Sequence, residues 1–567
     1  MTGTHHTHNS SRPERGPLLL FFAALAALAV PCAALIFTER LPLSTRLCGF
    51  MLPVTAYWLL LSLSRNIGRT VWLMFFFIFL SAFQLVLLYL FGNGPIAVDM
   101  FLNIITTNPG EVSELLGNLF PAIATVVVLY IPLLTAATVA ARRKTLLDGA
   151  FAMRQRRMAA AALAAATAVT AGTAAVTPSF CLKADIFPLN ACYNLALAVQ
   201  RAYATAHYAE TSAAFSFGAR PTHDAGEREI YVLVVGETAR ACNFGLYGYG
   251  RNTTPRLART AGLTAFGRAL TQSNTTHKSV PMLLSAVSAA DYDSIYRRKS
   301  IITAFKEAGF RTVFLSNQNR NHSFIDFFGS EADRCVFIKD DAPEGANVMD
   351  SRLLGYASGE IERSRGKLFI VLHTYGSHFT YNERYGAAGA HFRPDTDMSA
   401  RRDNRASLIN AYDNTVRQTD SMLAALTGML AGSGASAAMI YTSDHGEDIF
   451  DDGVSFLHAS PIPTYYQLHV PLLVWTSEEY AARHPETIKA LAANSRKPVA
   501  TSASVFHSML DMAGIATPCR ADSLSFAGKG YRPGAWQYLN DRNEQRLLSD
   551  IALTANDIRL LREKGMW

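Results

Sequence analysis

Ala438-Met439-Ile440-Tyr441, leading through Thr442 into Ser443-Asp444-His445-Gly446-Glu447, decides the fold. A short apolar run that stops abruptly at carboxylate and imidazole groups reads as a strand buried on both faces, with its polar continuation at the carboxyl end. Working outward, the same pattern recurs. Residues 230–235 run into Gly236-Glu237-Thr238, residues 312–315 into Ser316-Asn317, and residues 368–372 into His373 and then Gly376-Ser377-His378. Residues 470–475 form a further run. Helical stretches separate these segments, so the expected fold is α/β, a mostly parallel sheet between helix layers. Ligands in such folds bind outside the carboxyl ends of the strands, where these polar groups fall.

The α/β part follows a first third of different character. The chain has 567 residues, more than one ordinary domain, with 50% hydrophobic and only 17% charged residues. A membrane-spanning helix needs about 20 apolar residues, because the hydrocarbon layer is about 30 Å thick. Residues 17–37, 47–63, 71–91, 119–140 and 158–176 read as five such spans, and the first is too long for a simple signal peptide and lacks its cleavage site. The expected organisation is an α-helical membrane domain over 1–176, bridging helices and linker over 177–228, and a soluble catalytic domain over 229–567.

The net charge of +7 does not describe a nucleic-acid groove, because much of the excess sits in short basic clusters beside apolar segments. Arg12 and Arg15 precede the first span, Arg65 and Arg69 follow the second, and Arg142 to Lys144 with Arg154 to Arg157 separate the last two. Residues 92–118 contain no Lys or Arg but include Asp99, Glu111 and Glu114. With the N-terminus inside, the main clusters lie on one side and Arg40 and Arg46 are a minor exception. Five spans then place the soluble part outside. Within 92–118, Met100, Phe101, Ile104 and Ile105 have the spacing of an amphipathic helix on the membrane face, with an ordinary connecting loop as the alternative. Of seven cysteines, Cys32 and Cys48 lie in spans; the other five would meet an oxidising compartment, where Cys181 and Cys192 could bridge a loop.

Glu237, Asp444, His445, His378 and His458 lie just after predicted strands or in nearby loops, so one sheet edge could collect them. Carboxylate oxygens mixed with imidazole nitrogens suit zinc or another divalent ion. Each residue alone has a plain structural reading, as a helix cap or a satisfied histidine; the signal is their recurrence at several strand ends. A candidate nucleophile lies in Asn274-Thr275-Thr276-His277-Lys278-Ser279-Val280-Pro281. A hydroxyl at a helix N-terminus sits where an anion is favoured, and a metal on its oxygen would activate a threonine near neutral pH. Read alone, the pair of threonines is an N-cap.

Together these segments resemble the phosphoethanolamine transferases of Gram-negative envelopes, in the alkaline phosphatase and sulfatase superfamily. The matching elements are Val235-Gly236-Glu237-Thr238-Ala239-Arg240, Tyr247-Gly248-Tyr249 with Asn252-Thr253-Thr254-Pro255, and Thr276 with Ser279-Val280-Pro281. Gly376-Ser377-His378, Ser443-Asp444-His445-Gly446-Glu447, Leu457-His458 and His469-Val470-Pro471-Leu472-Leu473 continue them in the family's order. The resemblance implies that Thr276 is the nucleophile and that Glu237, Thr276, Asp444 and His445 ligate zinc. His378 and His458 match positions that hold the phosphate group, assist proton transfer or bind a second ion. Asn317 and Lys278 lie near substrate-binding segments, and Lys278 also reads as a helix-surface lysine. In the lipid A subgroup two cysteines flank and clamp the nucleophile helix; here Gln272 and Met282 stand at the equivalent positions, which opens the choice of acceptor.

The implied reaction takes phosphoethanolamine from phosphatidylethanolamine through a phospho-threonine to lipid A or a lipopolysaccharide core sugar, at the bacterial inner membrane with the catalytic domain in the periplasm. The added amine would weaken attraction for cationic peptides such as polymyxin. The nearest rival is a glycerol-phosphate transferase acting on an envelope glycan. A membrane-anchored sensor or binding module is the rival from another class. The Cys-or-Ser-x-Pro-x-Arg element of true sulfatases is absent around Thr276.

Overall fold

The computed structural model describes residues 15–39, 41–92, 94–106, 109–177, 180–223, 228–343 and 346–567, without the side chains of 103 and 105–118. Arg12 and Arg40 therefore lie outside the described residues, as do the side chains of Ile105, Glu111 and Glu114. The chain divides into two compact units, one of residues 1–97 and 119–196, the other of residues 98–118 and 197–567.

The first unit is helical: α1 (Arg15–Thr38), α2 (Leu43–Ser62), α3 (Ile67–Leu73), α4 (Phe75–Phe91), most of α6 (Pro109–Arg142) and α7 (Gly149–Val176). By length and composition, α1, residues 119–142 of α6, and α7 can cross a membrane; α3 and α4 qualify only as a pair, bent by 58°. The five-span expectation is thus met by three helices, or four with the bent pair. The expected second span does form α2, but Arg46 and the small polar residues Ser44, Thr45 and Thr55 dilute its apolar run. The expected third span breaks at Met74. Inside the unit some polar groups pair with one another: Trp58 Nε1 donates to Gln155 Oε1 (2.9 Å) and Tyr130 Oη to the Ala27 carbonyl (3.2 Å), while the Tyr57 and Ser81 hydroxyls have no hydrogen-bond partner among the described residues. Arg65 Nε donates to the Leu147 carbonyl and Arg156 to the Leu63 carbonyl, so basic clusters far apart in sequence meet at one place.

Residues 98–106 form α5 (Val98–Thr106), a helix and not a loop, grouped with the second unit. Its expected apolar stripe is divided: Met100 and Phe101 are buried and Ile104 is exposed. Cys181 and Cys192 are free thiols, so the expected bridge is not formed.

In the second unit, seven strands build the main sheet: β1 (Glu229–Gly236), β2 (Leu263–Phe266), β3 (Arg311–Ser316), β4 (Arg334–Phe337), β5 (Lys367–His373), β6 (Ser436–Ser443) and β7 (Leu472–Thr476). Their spatial order is β2, β7, β6, β1, β5, β3, β4. All neighbours pair in parallel except β7, which is antiparallel to both β2 and β6. Every residue of β1 and β6 is buried, as an unbroken apolar run requires of a strand covered on both faces. Side chains alternate between the layers. Tyr231, Leu233 and Val235 pack with Phe305 and Phe506 on one face, and Ile230, Val232 and Val234 with Tyr412 and Leu423 on the other.

Candidate active site

β1 and β6 run in register, with Gly236 opposite Ser443, so Glu237 and Asp444 leave the sheet side by side. The Asp444 backbone N–H donates to the Gly236 carbonyl (3.0 Å), which fixes that exit. Glu237, Asp444 and His445 are all buried, and their ligand atoms lie within 4.8 Å of one another. Thr276 begins the helix Thr276–Leu283. Its Oγ1 stands 3.0 Å from His445 Nε2 and 3.3 and 3.4 Å from the two Glu237 oxygens.

The electrostatics of this cluster favour a cation. Burial lowers the His445 pKa to about 4, so its ring is neutral. His445 Nδ1 lies 2.9 Å from the Gly446 carbonyl oxygen, which can only accept, so Nδ1 carries the hydrogen and Nε2 turns a lone pair toward the cluster. Burial pushes the Asp444 carboxyl well up from its ordinary range, against the N–H groups of His445 and Thr238, which hydrogen-bond it. Asp444 Oδ2 has no hydrogen-bond partner. Two buried carboxylates, an imidazole lone pair and a hydroxyl need a positive charge among them, and this oxygen-and-nitrogen set fits zinc.

Close backbone approach holds the cluster. Gly376, at φ +53°, lies against Glu237: a Cβ there would stand 2.4 Å from the Glu237 carbonyl oxygen. A Cβ on Gly446 would stand 2.1 Å from the Tyr466 carbonyl oxygen. Thr238 takes φ +59°, a costly conformation for a threonine, and is held there by the Tyr412 hydroxyl on its carbonyl (2.7 Å) and by its own N–H on Asp444 Oδ1 (3.1 Å).

The remaining histidines line up beside the cluster. The His458 ring centroid is 4.2 Å from that of His445 and 6.0 Å from that of His378. His378 follows β5, stacks on Tyr375 and donates from Nδ1 to the Phe379 carbonyl (2.5 Å), leaving Nε2 as an acceptor. His458 Nδ1 has no hydrogen-bond partner, and both neighbours of His458 take positive φ, Leu457 at 65° and Ala459 at 61°. Burial, with Arg384 and His458 adding to it, holds His378 well below the ordinary histidine range; burial and His445 do the same for His458. The structure therefore gathers Glu237, Thr276, Asp444, His445, His458 and His378.

Two residues expected near substrate-binding segments have protein partners of their own. Asn317 is fully buried, and its amide donates to the Val348 carbonyl and to Asp350 Oδ1, both at 2.8 Å. Asp350 in turn accepts from the backbone N–H groups of Tyr375 and Gly376, each at 2.8 Å. Asn317 is thus a support for the loop that carries His378. Lys278 is neither a surface lysine nor free: it is 2% exposed and paired with Asp99 at 2.7 Å. Sequence reasoning missed Asp350 and Tyr412, which lie far from the motifs along the chain and carry no local signal.

Comparison with known proteins places the family of the domain that carries this cluster. The Sulfatase family pattern matches residues 229–515. The chain is 26% identical over 300 residues to phosphoethanolamine transferase EptC of Escherichia coli (strain K12), covering 51% of each protein. It thus spans about half the length of the curated relatives it matches. Among solved structures, the zinc complex of the C-terminal periplasmic domain of EcEptC from Escherichia coli matches with a TM-score of 0.54 and 23% identity, over 60% of this chain and 97% of that one. The integral membrane protein lipooligosaccharide phosphoethanolamine transferase A (EptA) from Neisseria meningitidis matches with a TM-score of 0.70 and 22% identity, over 91% of this chain and 98% of that one. By the match over 229–515 the chain belongs to the sulfatase family, and its resemblance to phosphoethanolamine transferases is shown in both sequence and fold.

Proposed function

We propose that this protein is a membrane-anchored, metal-dependent transferase that moves phosphoethanolamine from phosphatidylethanolamine to a lipopolysaccharide component, lipid A phosphate or a core sugar. The observation that carries the reading is the Thr276 hydroxyl, 3.0 Å from His445 Nε2 and within 3.4 Å of both Glu237 oxygens, at the N-terminus of a helix. That position suits a nucleophile at a cation site.

Glu237, Thr276, Asp444 and His445 would hold one zinc ion, with His378 and His458 placed to hold the phosphate group or a second ion. Bound there, zinc would lower the threonine's pKa and neutralise charge on the phosphoryl oxygens. Thr276 Oγ1 attacks phosphorus, the bond to the glycerol oxygen breaks, and diacylglycerol departs with the proton the threonine gives up. The acceptor oxygen then attacks the phospho-threonine, the Thr276 O–P bond breaks, and Thr276 Oγ1 regains the proton that the acceptor gives up. His378 has Nε2 available to take the acceptor's proton, because its Nδ1–H is committed to the Phe379 carbonyl. The neutral state of His378 and His458 suits this work, since a protonated ring could not accept.

The reading places the chain in a bacterial inner membrane with five spans, α2 and the bent α3–α4 pair included. An odd number of crossings puts the catalytic unit on the periplasmic side, opposite the basic clusters. Both substrates are lipids, so the anchor raises their effective concentration at the site.

Intact mass spectrometry after incubation with phosphatidylethanolamine and zinc tests the reaction. A phosphoethanolamine adduct on Thr276, absent from Thr276→Ala, is the expected result. An adduct formed only from phosphatidylglycerol would replace this reading with glycerol-phosphate transfer.

A further inference from the structure

A second ion cluster lies beside the nucleophile and takes no part in the chemistry above. Asp99 of α5, 5% exposed at its side chain, meets Lys278 Nζ at 2.7 Å, His277 Nε2 at 3.1 Å and Arg201 at 4.0 Å. Lys278 Nζ also donates to the Asn540 carbonyl (2.8 Å), and Arg201 to the Asp541 carbonyl (2.7 Å). The Val98 N–H reaches Asp541 Oδ2 at 3.4 Å. All these residues belong to the second unit.

Burying the Lys278 ammonium is costly unless a counter-charge accompanies it. Asp99 supplies that charge. Burial alone would raise its carboxyl pKa, but Lys278 and then His277 outweigh burial and hold it well below the usual carboxylate range. Asp99 is therefore ionised, and the pair is close to neutral.

Its position gives the pair its significance. His277 and Lys278 directly follow Thr276 and occupy the first turn of a helix only eight residues long, with Pro281 inside it. A helix that short has little stability of its own and depends on tertiary contacts. The segment has no disulfide, since all seven cysteines are free and none flanks it. Two consecutive side chains meet one carboxylate, Lys278 through a hydrogen bond and His277 by close approach, and the rotation of that turn sets where Thr276 Oγ1 points.

Resting on the proposed transfer reaction, we infer that Asp99 is a positioning residue: through Lys278 and His277 it fixes the first turn of the nucleophile helix and so aims Thr276 Oγ1 at the cation cluster. α5 is then a working part of the catalytic unit, supplied by the stretch of chain between two apolar helices. The rival role is substrate holding, because Arg201, His277 and Lys278 also edge a cavity of about 440 Å³.

The test is a double-mutant cycle on the full-length protein in detergent, with Asp99→Asn, Lys278→Met and the pair, reading the rate of Thr276 adduct formation and the donor KM. Misdirecting a nucleophile by about 1 Å costs on the order of 100-fold in rate. Each single variant should lose about 10- to 100-fold in kcat with KM within about twofold, and the double should lose no more than the worse single. Asp99→Glu, which keeps the charge, should stay within about tenfold of the parent. Hydrogen exchange over residues 273–283 should quicken in Asp99→Asn and Lys278→Met while the main sheet stays protected. Unchanged kcat, a change confined to KM, or losses that multiply in the double would each overturn the inference. If the parent forms no adduct, the transferase reading fails, and the exchange measurement alone decides whether Asp99 orders the turn. Should Asp99→Asn not fold, Lys278→Met and Asp99→Glu carry the same comparison.

Discussion

The two halves of the candidate site stand on different kinds of backbone. Glu237 and Asp444 leave adjacent parallel strands whose register is fixed by continuous hydrogen bonds, and His445 follows at once. His378 and His458 sit on loops, the first braced by Asp350 and Asn317, the second between two residues of positive φ. The half that must gather like charges at fixed spacing is built on the stiffest element available. The half proposed to meet the substrate is built on loop segments held by side-chain and backbone bonds. Rigidity is thus allotted according to electrostatic cost.

If that division is right, the halves fail differently. Asp444→Asn should lose bound zinc and reduce transfer by at least about 1,000-fold, because it removes a ligand and a charge from the rigid half. His378→Ala should keep zinc at the first site and lose about 100-fold, the scale of a missing proton acceptor. Metal analysis of both purified proteins beside their adduct rates decides the matter. Full zinc in Asp444→Asn would sink the ligand assignment, and zinc lost in His378→Ala would merge the two halves into one.

Gly376 offers a smaller and more pointed probe, because it joins them. It belongs to the His378 loop, yet a Cβ there would press on the Glu237 backbone at 2.4 and 2.9 Å. Gly376→Ala should destabilise the protein by about 1–3 kcal/mol through that overlap and its left-handed φ. It should also weaken zinc binding although it touches no ligand atom. Thermal unfolding and a zinc titration read the two effects; intact zinc affinity beside a lowered melting temperature would show that Glu237 is held independently of the loop.

The same contrast explains what could be read from the chain. The strand-end cluster was legible because an apolar run broken by Asp444-His445 or by Glu237 is a local pattern, and the sheet then brings the ends together. Thr276, His378 and His458 were legible through motif order. Lys278 was not, since its partner Asp99 lies 179 residues away and nothing local announces a buried lysine. The bond from Asn317 to Asp350, 33 residues on, was not legible either, because nothing local announces so distant a partner. In the helical unit, hydropathy indicated apolar stretches but not the 58° bend at Met74, a tertiary outcome that composition does not encode.

His469 sharpens the comparison from outside the cluster, with the smallest expected effect. Like the half-buried His378 and His458 it is neutral, and being fully buried it has its pKa lowered to about 4. Unlike them it is satisfied at both nitrogens: Nε2–H donates to the Gly267 carbonyl (3.3 Å), and Nδ1 accepts from the Tyr465 hydroxyl (2.8 Å). In the unfolded chain the ring titrates near pH 6.5. Between about pH 6.5 and 4 the unfolded state therefore binds a proton that the folded state refuses, and stability falls as pH drops through that window. The loss is at most about 1.4 kcal/mol per pH unit for this group, and its contribution is intact above the window. His469→Gln should flatten the decline in unfolding midpoint between pH 6.5 and 4.5 by close to one proton's worth, while transfer at pH 7.5 stays within about threefold of the parent. An unchanged slope would mean that His469 is not the titrating group. A large loss of transfer at pH 7.5 would mean that a fully bonded histidine outside the cluster still governs the site, and the line drawn between structural and catalytic histidines would have to move.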